Sequence, residues 1–114
     1  MDRPDERRAA RRVRRRFILR VAAFGEQPPL WSLVTIHNLS STGALFTYDK
    51  PVRIGLLMLF RIDFPGRVIE CMGRVRRLAD AREHGCQDVG ASFEGIRPQD
   101  KKYIDDFIEK SGLK

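Results

Sequence analysis

At 114 residues the chain has the length of one domain with one small core. Its 42% hydrophobic and 32% charged residues are those of a globular protein, and no apolar run reaches the roughly 18 residues of a membrane-spanning helix. The net charge of +7 points to an anionic partner.

In chain order, the charge comes first. Residues 1–20 hold nine Arg against Asp2, Asp5 and Glu6, a net of +6, which leaves +1 for residues 21–114. Arg offers a planar fork that grips phosphate and stacks on flat rings. The partner implied is a nucleotide, a nucleic acid or, less favoured, an anionic membrane surface. No apolar stretch of secretory type follows, so no signal peptide is expected. Residues 1–15 have few apolar side chains and are expected to be a flexible basic arm, with one folded domain over 16–114.

From Phe17 the pattern is that of short strands. Phe17–Phe24 is the first. Gly25–Leu30, with Pro28-Pro29, is a loop. Ser32–His37 alternates apolar and polar residues and reads as the second strand. Ser40–Gly43 has turn chemistry, and Ala44–Thr47 is a third strand. Leu56–Phe64 and Arg67–Leu78 flank Pro65-Gly66 as a hairpin. Residues 80–86 connect to a sixth strand, Asp88–Phe93. Pro98, Asp100 and the apolar set Tyr103, Ile104, Phe107 and Ile108 predict a helix over 98–111. The fold expected is mainly β: a small antiparallel six-stranded barrel with a C-terminal α-helix and an Arg-rich N-terminal arm.

Two motifs carry candidate chemistry. Arg16-Phe17-Ile18-Leu19-Arg20 places two arginines at i and i+4, preceded by Arg15. On an extended chain they share a face about 13 Å apart, which suits two ends of one ligand. Asn38-Leu39-Ser40-Ser41-Thr42-Gly43 reads N-x-S-x-x-G. Asn38 and Ser40 lie at i and i+2 and can offer an amide and a hydroxyl to one side. Gly43 allows φ > 0 or the approach of backbone to a ring.

Together these motifs resemble the PilZ domain, a bacterial receptor module for cyclic di-GMP. Arg15-Arg16-Phe17-Ile18-Leu19-Arg20 looks like the family's RR-x-x-x-R, and Asn38, Ser40 and Gly43 match its D/N-x-S-x-x-G. Gly73-Arg74-Val75 and Gly90-Ala91-Ser92-Phe93 resemble two of its strands. The resemblance implies that Arg16 and Arg20 grip phosphates and guanine edges while Asn38, Ser40 and Gly43 read a guanine. It gives Arg15 a role in holding two intercalated ligand molecules and puts Arg77 where relatives stack an aromatic on a base; Arg12 is added from the same arm. Asn38 offers one accepting oxygen where an Asp would offer two, which lowers the expected affinity.

The function expected is a cyclic di-GMP receptor and adaptor, cytoplasmic, that changes arm conformation on binding and signals by contact with a protein partner not identified by the sequence. The alternatives are a nucleic-acid-binding small barrel with an Arg-rich tail, or a degenerate PilZ that binds only protein. The near-neutral barrel argues against nucleic acid, and no membrane partner is expected. Enzymatic activity, cofactor and metal are not expected: Ser40 has no triad pattern, and His37 and His84 lack ligand spacing. Cys71 and Cys86 are expected to be buried free thiols. Trp31 reads as partial core or loop packing rather than as a platform for a base.

Overall fold

The computed structural model describes residues 17–111. Seven strands form one antiparallel sheet: β1 Ile18–Ala23, β2 Ser32–Leu33, β3 Thr35–Ser40, β4 Gly43–Tyr48, β5 Leu57–Phe64, β6 Arg67–Asp80 and β7 Gln87–Glu94. Their order is β2-β1-β5-β6-β7-β4-β3. One helix, α1, follows at Pro98–Ser111.

The expected count of six strands becomes seven for a local reason. The chain expected as Ser32–His37 is interrupted at Val34, whose N–H bonds the Leu19 carbonyl at 3.2 Å. Ser32–Leu33 pairs with β1, and Thr35–Ser40 pairs with β4. The two edge strands are therefore consecutive pieces of one segment, and the sheet curls towards closure around it.

The alternation that predicts strands also fills the core. In β5, Met58, Phe60, Ile62 and Phe64 point inward and Leu57, Leu59, Arg61 and Asp63 outward. β4 contributes Ala44, Phe46 and Tyr48, β1 contributes Leu19 and Val21, and β7 contributes Val89 and Ala91. β6 is the spine: residues 67–74 pair with β5 and residues 72–80 pair mainly with β7. Gly73 on this spine is required by packing, since a Cβ there would lie 2.6 Å from the Phe60 ring.

Pro98 opens α1, where its missing N–H leaves no helical bond unmade. Asp100 is in the first turn, and its carboxylate is 3% exposed. It accepts hydrogen bonds from Arg67 Nη1 and Arg97 Nε, both at 3.1 Å. The Arg67 guanidinium also lies over the Tyr103 ring, 5.0 Å from its centroid. Ile104 joins the core, and Phe107 meets Phe64 at 4.8 Å and Phe17 at 5.8 Å between centroids. The helix is thereby pinned where β1 begins. Among the described residues no helix is long and apolar enough to cross a membrane.

Cys71 and Cys86 are both free but half-buried rather than buried. Burial pushes the Cys71 thiol up to about 12, which leaves it protonated and unreactive at neutral pH.

Candidate functional site

The sheet is regular where β1, β5 and β6 meet and irregular where β3, β4, β6 and β7 meet. Two β-bulges mark the irregular part. One lies in β3 between Ile36 and Asn38, the other in β6 between Val75 and Arg77. A bulge adds one residue to one strand and re-aims the side chains beside it. The second bulge lets the adjacent Arg76 and Arg77 line the same groove, which strict alternation would forbid.

That groove has a volume of about 280 Å³. The β3–β4 hairpin supplies Asn38, Ser40, Thr42 and Gly43; β6 supplies Arg76 and Arg77; β7 supplies Gly90 and Ser92. The turn between Ser40 and Gly43 is held by its own hydroxyls. Ser40 Oγ accepts from the Thr42 N–H at 3.2 Å, lies 3.0 Å from Thr42 Oγ1 and reaches the Gly43 carbonyl at 3.5 Å. The Phe93 N–H ties the turn to β7 by bonding the Thr42 carbonyl at 2.8 Å. Gly43 is placed where a Cβ would sit 2.3 Å from the Ala91 carbonyl oxygen. Its φ is not positive. Glycine is needed here for close approach of β4 to β7, not for a left-handed turn.

Ser40 and Gly43 therefore have structural tasks of their own. Asn38 and Arg77 do not: both are exposed, and neither side chain has a polar partner among the described residues. Their amide and guanidinium are available to a ligand.

Arg76 differs from Arg77 in being held. Its Nε donates to Ser92 Oγ at 2.9 Å and its Nη2 to Glu94 Oε2 at 3.4 Å. Glu94 is shared with Arg74, which donates from Nε at 2.9 Å and Nη2 at 3.3 Å and also reaches the Gly55 carbonyl at 2.9 Å. The Arg74 hydrogen bond holds the Glu94 carboxyl below the usual glutamate range, and Glu94 in turn raises Arg74. Two cations beyond neutrality remain at this end of the sheet: Arg74, Arg76 and Arg77 face one carboxylate.

Of the other residues expected at a site, Arg12, Arg15 and Arg16 lie outside the described residues. Arg20 stands on the outer face of β1, beside Leu33 of β2 and Arg61 of β5, and pairs with Asp63. It does not line the groove. Sequence reasoning did not place Thr42, Arg76, Gly90 or Ser92 at a site. The Arg76-Arg77 doublet was visible, but only the bulge brings both members to one side.

A second hollow, of about 400 Å³, lies on the other side of the β3 bulge and is lined by His37, Thr47, Asp88, Arg82 and Glu83. It is larger, but three of its polar groups, His37, Thr47 and Asp88, engage one another. Thr47 Oγ1 donates to Asp88 Oδ1 at 2.8 Å, so His37 Nε2, 2.6 Å from that hydroxyl, carries the proton it donates to Thr47. No group of described residues could hold a metal ion.

A curled antiparallel sheet, one terminal helix and a cationic groove beside an N-x-S-x-x-G turn define a small β-barrel-like ligand-binding module. A PilZ domain model matches residues 6–110, and the chain belongs to the PilZ domain family. PilZ domains are ligand-binding adaptor modules rather than enzymes. Among solved structures, the Bacillus subtilis inhibitor of motility (MotI/DgrA) is similar in fold, with a TM-score of 0.69 at 16% identity. That likeness covers 85% of this chain but 47% of the other, so this chain spans about half the neighbour's length. No curated protein matches the chain.

Proposed function

We propose that this protein is a cyclic di-GMP receptor that passes its signal to a protein partner by contact. The observation that carries the reading is the pair of groups without partners among the described residues, Asn38 on β3 and Arg77 on β6, facing one groove beside the turn that Ser40 holds. The Asn38 amide suits the Watson–Crick edge of a guanine, and the Arg77 plane suits stacking on a base.

The groove volume, about 280 Å³, lies at the bottom of the range of roughly 300–1,000 Å³ for small-molecule sites. It has room for a base and its phosphate. The rest of a cyclic dinucleotide falls to the arginine arm, which lies inside the family match from residue 6 onward. Arg20 is engaged by Asp63, and the arm repeats the R-x-x-x-R spacing at Arg8–Arg12 and Arg12–Arg16. In this reading the arm's phosphate contacts come from those earlier arginines, with Arg15 beside them as the residue that admits a second, intercalated ligand. Ligand stabilises the arm-closed form, and that form presents the surface the partner reads.

Titration calorimetry of cyclic di-GMP into the full chain at physiological salt tests this. Saturable binding is expected, weakened at least 10-fold in Asn38→Ala and Arg77→Ala and lost in Arg12→Ala/Arg16→Ala. A stoichiometry of two ligands per chain that falls to one in Arg15→Ala would support the intercalated pair. No binding by the wild-type chain would overturn the reading.

A further inference from the structure

Arg76 stands apart from the residues that the family resemblance assigns. It is 57% exposed by side chain, it lines the groove, and it is the extra residue of the β6 bulge. An exposed arginine normally samples many rotamers and loses that freedom when it binds. Arg76 is oriented beforehand. Ser92 Oγ takes the Nε proton, and Glu94 takes one from Nη2. Nε–H and Nη2–H form the side edge of the guanidinium, so that edge is engaged. The end edge, formed by Nη1 and the second Nη2 proton, keeps two parallel donors unused.

The carboxylate beside it would repel an anionic ligand if it stood alone. It does not, since Arg74 binds Glu94 through two nitrogens and leaves Arg76 as surplus charge. Ser92 lines the groove itself, so the anchor and the free fork are at one place.

We propose that Arg76 is a further ligand-binding residue of this groove, a pre-oriented end-on fork for a paired-acceptor edge, and that Ser92 and Glu94 are its positioning residues. The inference rests on the cyclic di-GMP reading above. In that ligand two groups offer such an edge: the phosphodiester oxygens, and O6 with N7 of guanine.

The test is calorimetry of cyclic di-GMP with the full-length wild type, Arg76→Ala, Arg76→Lys, Ser92→Ala and Glu94→Gln, with thermal melts of each. Arg76→Ala is expected to melt like the wild type and to bind about 10-fold or more weakly, in keeping with one bidentate pair. Arg76→Lys should not rescue it, because an ammonium lacks the fork. Ser92→Ala and Glu94→Gln should each weaken binding by less, and neither should weaken it further once Arg76 is Ala. A merely structural role would make those losses add. A shallower salt dependence in Arg76→Ala identifies phosphate as the partner; an unchanged slope identifies the guanine edge. If Arg76→Ala binds as tightly as wild type while Asn38→Ala and Arg77→Ala do not, the Arg76 inference fails and the receptor reading stands. If the wild type does not bind, both fail.

Discussion

The two halves of the sheet treat their charges in opposite ways. On the outer face of β1, β5 and β6 the register is unbroken, and each exposed charge meets an opposite one across the strands. Arg20 pairs with Asp63, and Arg61 bonds Glu70 at 2.9 Å. Around the groove two bulges break the register, and there, among the described residues, Asn38 and Arg77 are left without partners and Arg76 with half its guanidinium unused. Regular pairing lets a sheet satisfy itself; irregular pairing leaves donors for something else. The comparison can be broken at the groove's foundation, at the helix, or at the outer face.

The largest effect is expected at Gly43. In Gly43→Ala the new methyl would meet the backbone oxygen of Ala91, which cannot move without opening the β4–β7 ladder. A loss of about 3 kcal/mol is expected by chemical denaturation, at the upper end for overpacking. Ligand binding should vanish with it. A melting curve like wild type would show that β4 can slide, and that the glycine serves the ligand instead.

This residue also shows how far the sequence could be read. Gly43 and Ser40 were picked as ligand-reading residues, and the structure adds packing and turn-holding tasks that the sequence did not show, because close approach between strands depends on which strand lies alongside, and β7 is almost 50 residues away in the chain. The Phe60 strand was legible because its alternation is a local property. So was the helix, from Pro98 and the spacing of Ile104 and Phe107. The break at Val34 and the bulges at His37 and Arg76 were not legible, since the break arises where one segment changes partner strand and each bulge from an extra residue opposite a distant partner. Arg20 is the clearest instance. Its motif spacing suggested a ligand, but its partner Asp63 is 43 residues further on and appears only once β1 lies against β5.

A smaller effect is expected at Asp100. Asp100→Asn keeps the shape but removes the charge that Arg67 and Arg97 share, at a buried carboxylate whose two arginines reach solvent. A loss of about 2 kcal/mol is expected, between the values for neutral and buried charged pairs. Because no residue of the helix lines the groove, affinity for cyclic di-GMP should change by less than about two-fold below the melting transition. A large loss of affinity with little loss of stability would mean that the helix and the groove are coupled.

On the outer face the expected change is smaller still. Asp63→Ala frees Arg20 from a pair that is about one-third exposed, and such pairs contribute about 1 kcal/mol or less. If Arg20 belongs only to the outer face, Asp63→Ala and Arg20→Ala both leave ligand affinity unchanged in calorimetry. If Asp63 instead restrains a ligand-binding arginine, Asp63→Ala binds more tightly and Arg20→Ala more weakly. The pair of variants decides between the two roles, since only a restraint gives changes of opposite sign.

The subtlest distinction lies in pH. Glu94 is held below the usual glutamate range, first by the Arg74 hydrogen bond and then by the charges of Arg74 and Arg76, against a desolvation effect that raises it. A lowered carboxyl contributes to the folded state above its ordinary range, and that contribution is lost as pH falls through the lower folded value. Between pH 7 and the usual glutamate value Glu94 therefore stays ionised and keeps Arg76 oriented. The difference in affinity between wild type and Glu94→Gln is expected to be constant across that interval and to shrink only below it, where the wild type acquires the neutral side chain the variant already has. Titrations of both proteins at matched ionic strength measure that difference directly. Using the difference also removes the acid response of every other carboxylate, Asp100 included, because both proteins share it. A gap that closed well above the usual glutamate range would mean that Arg74 does not hold Glu94 charged, and that the Arg76 fork is positioned by Ser92 alone.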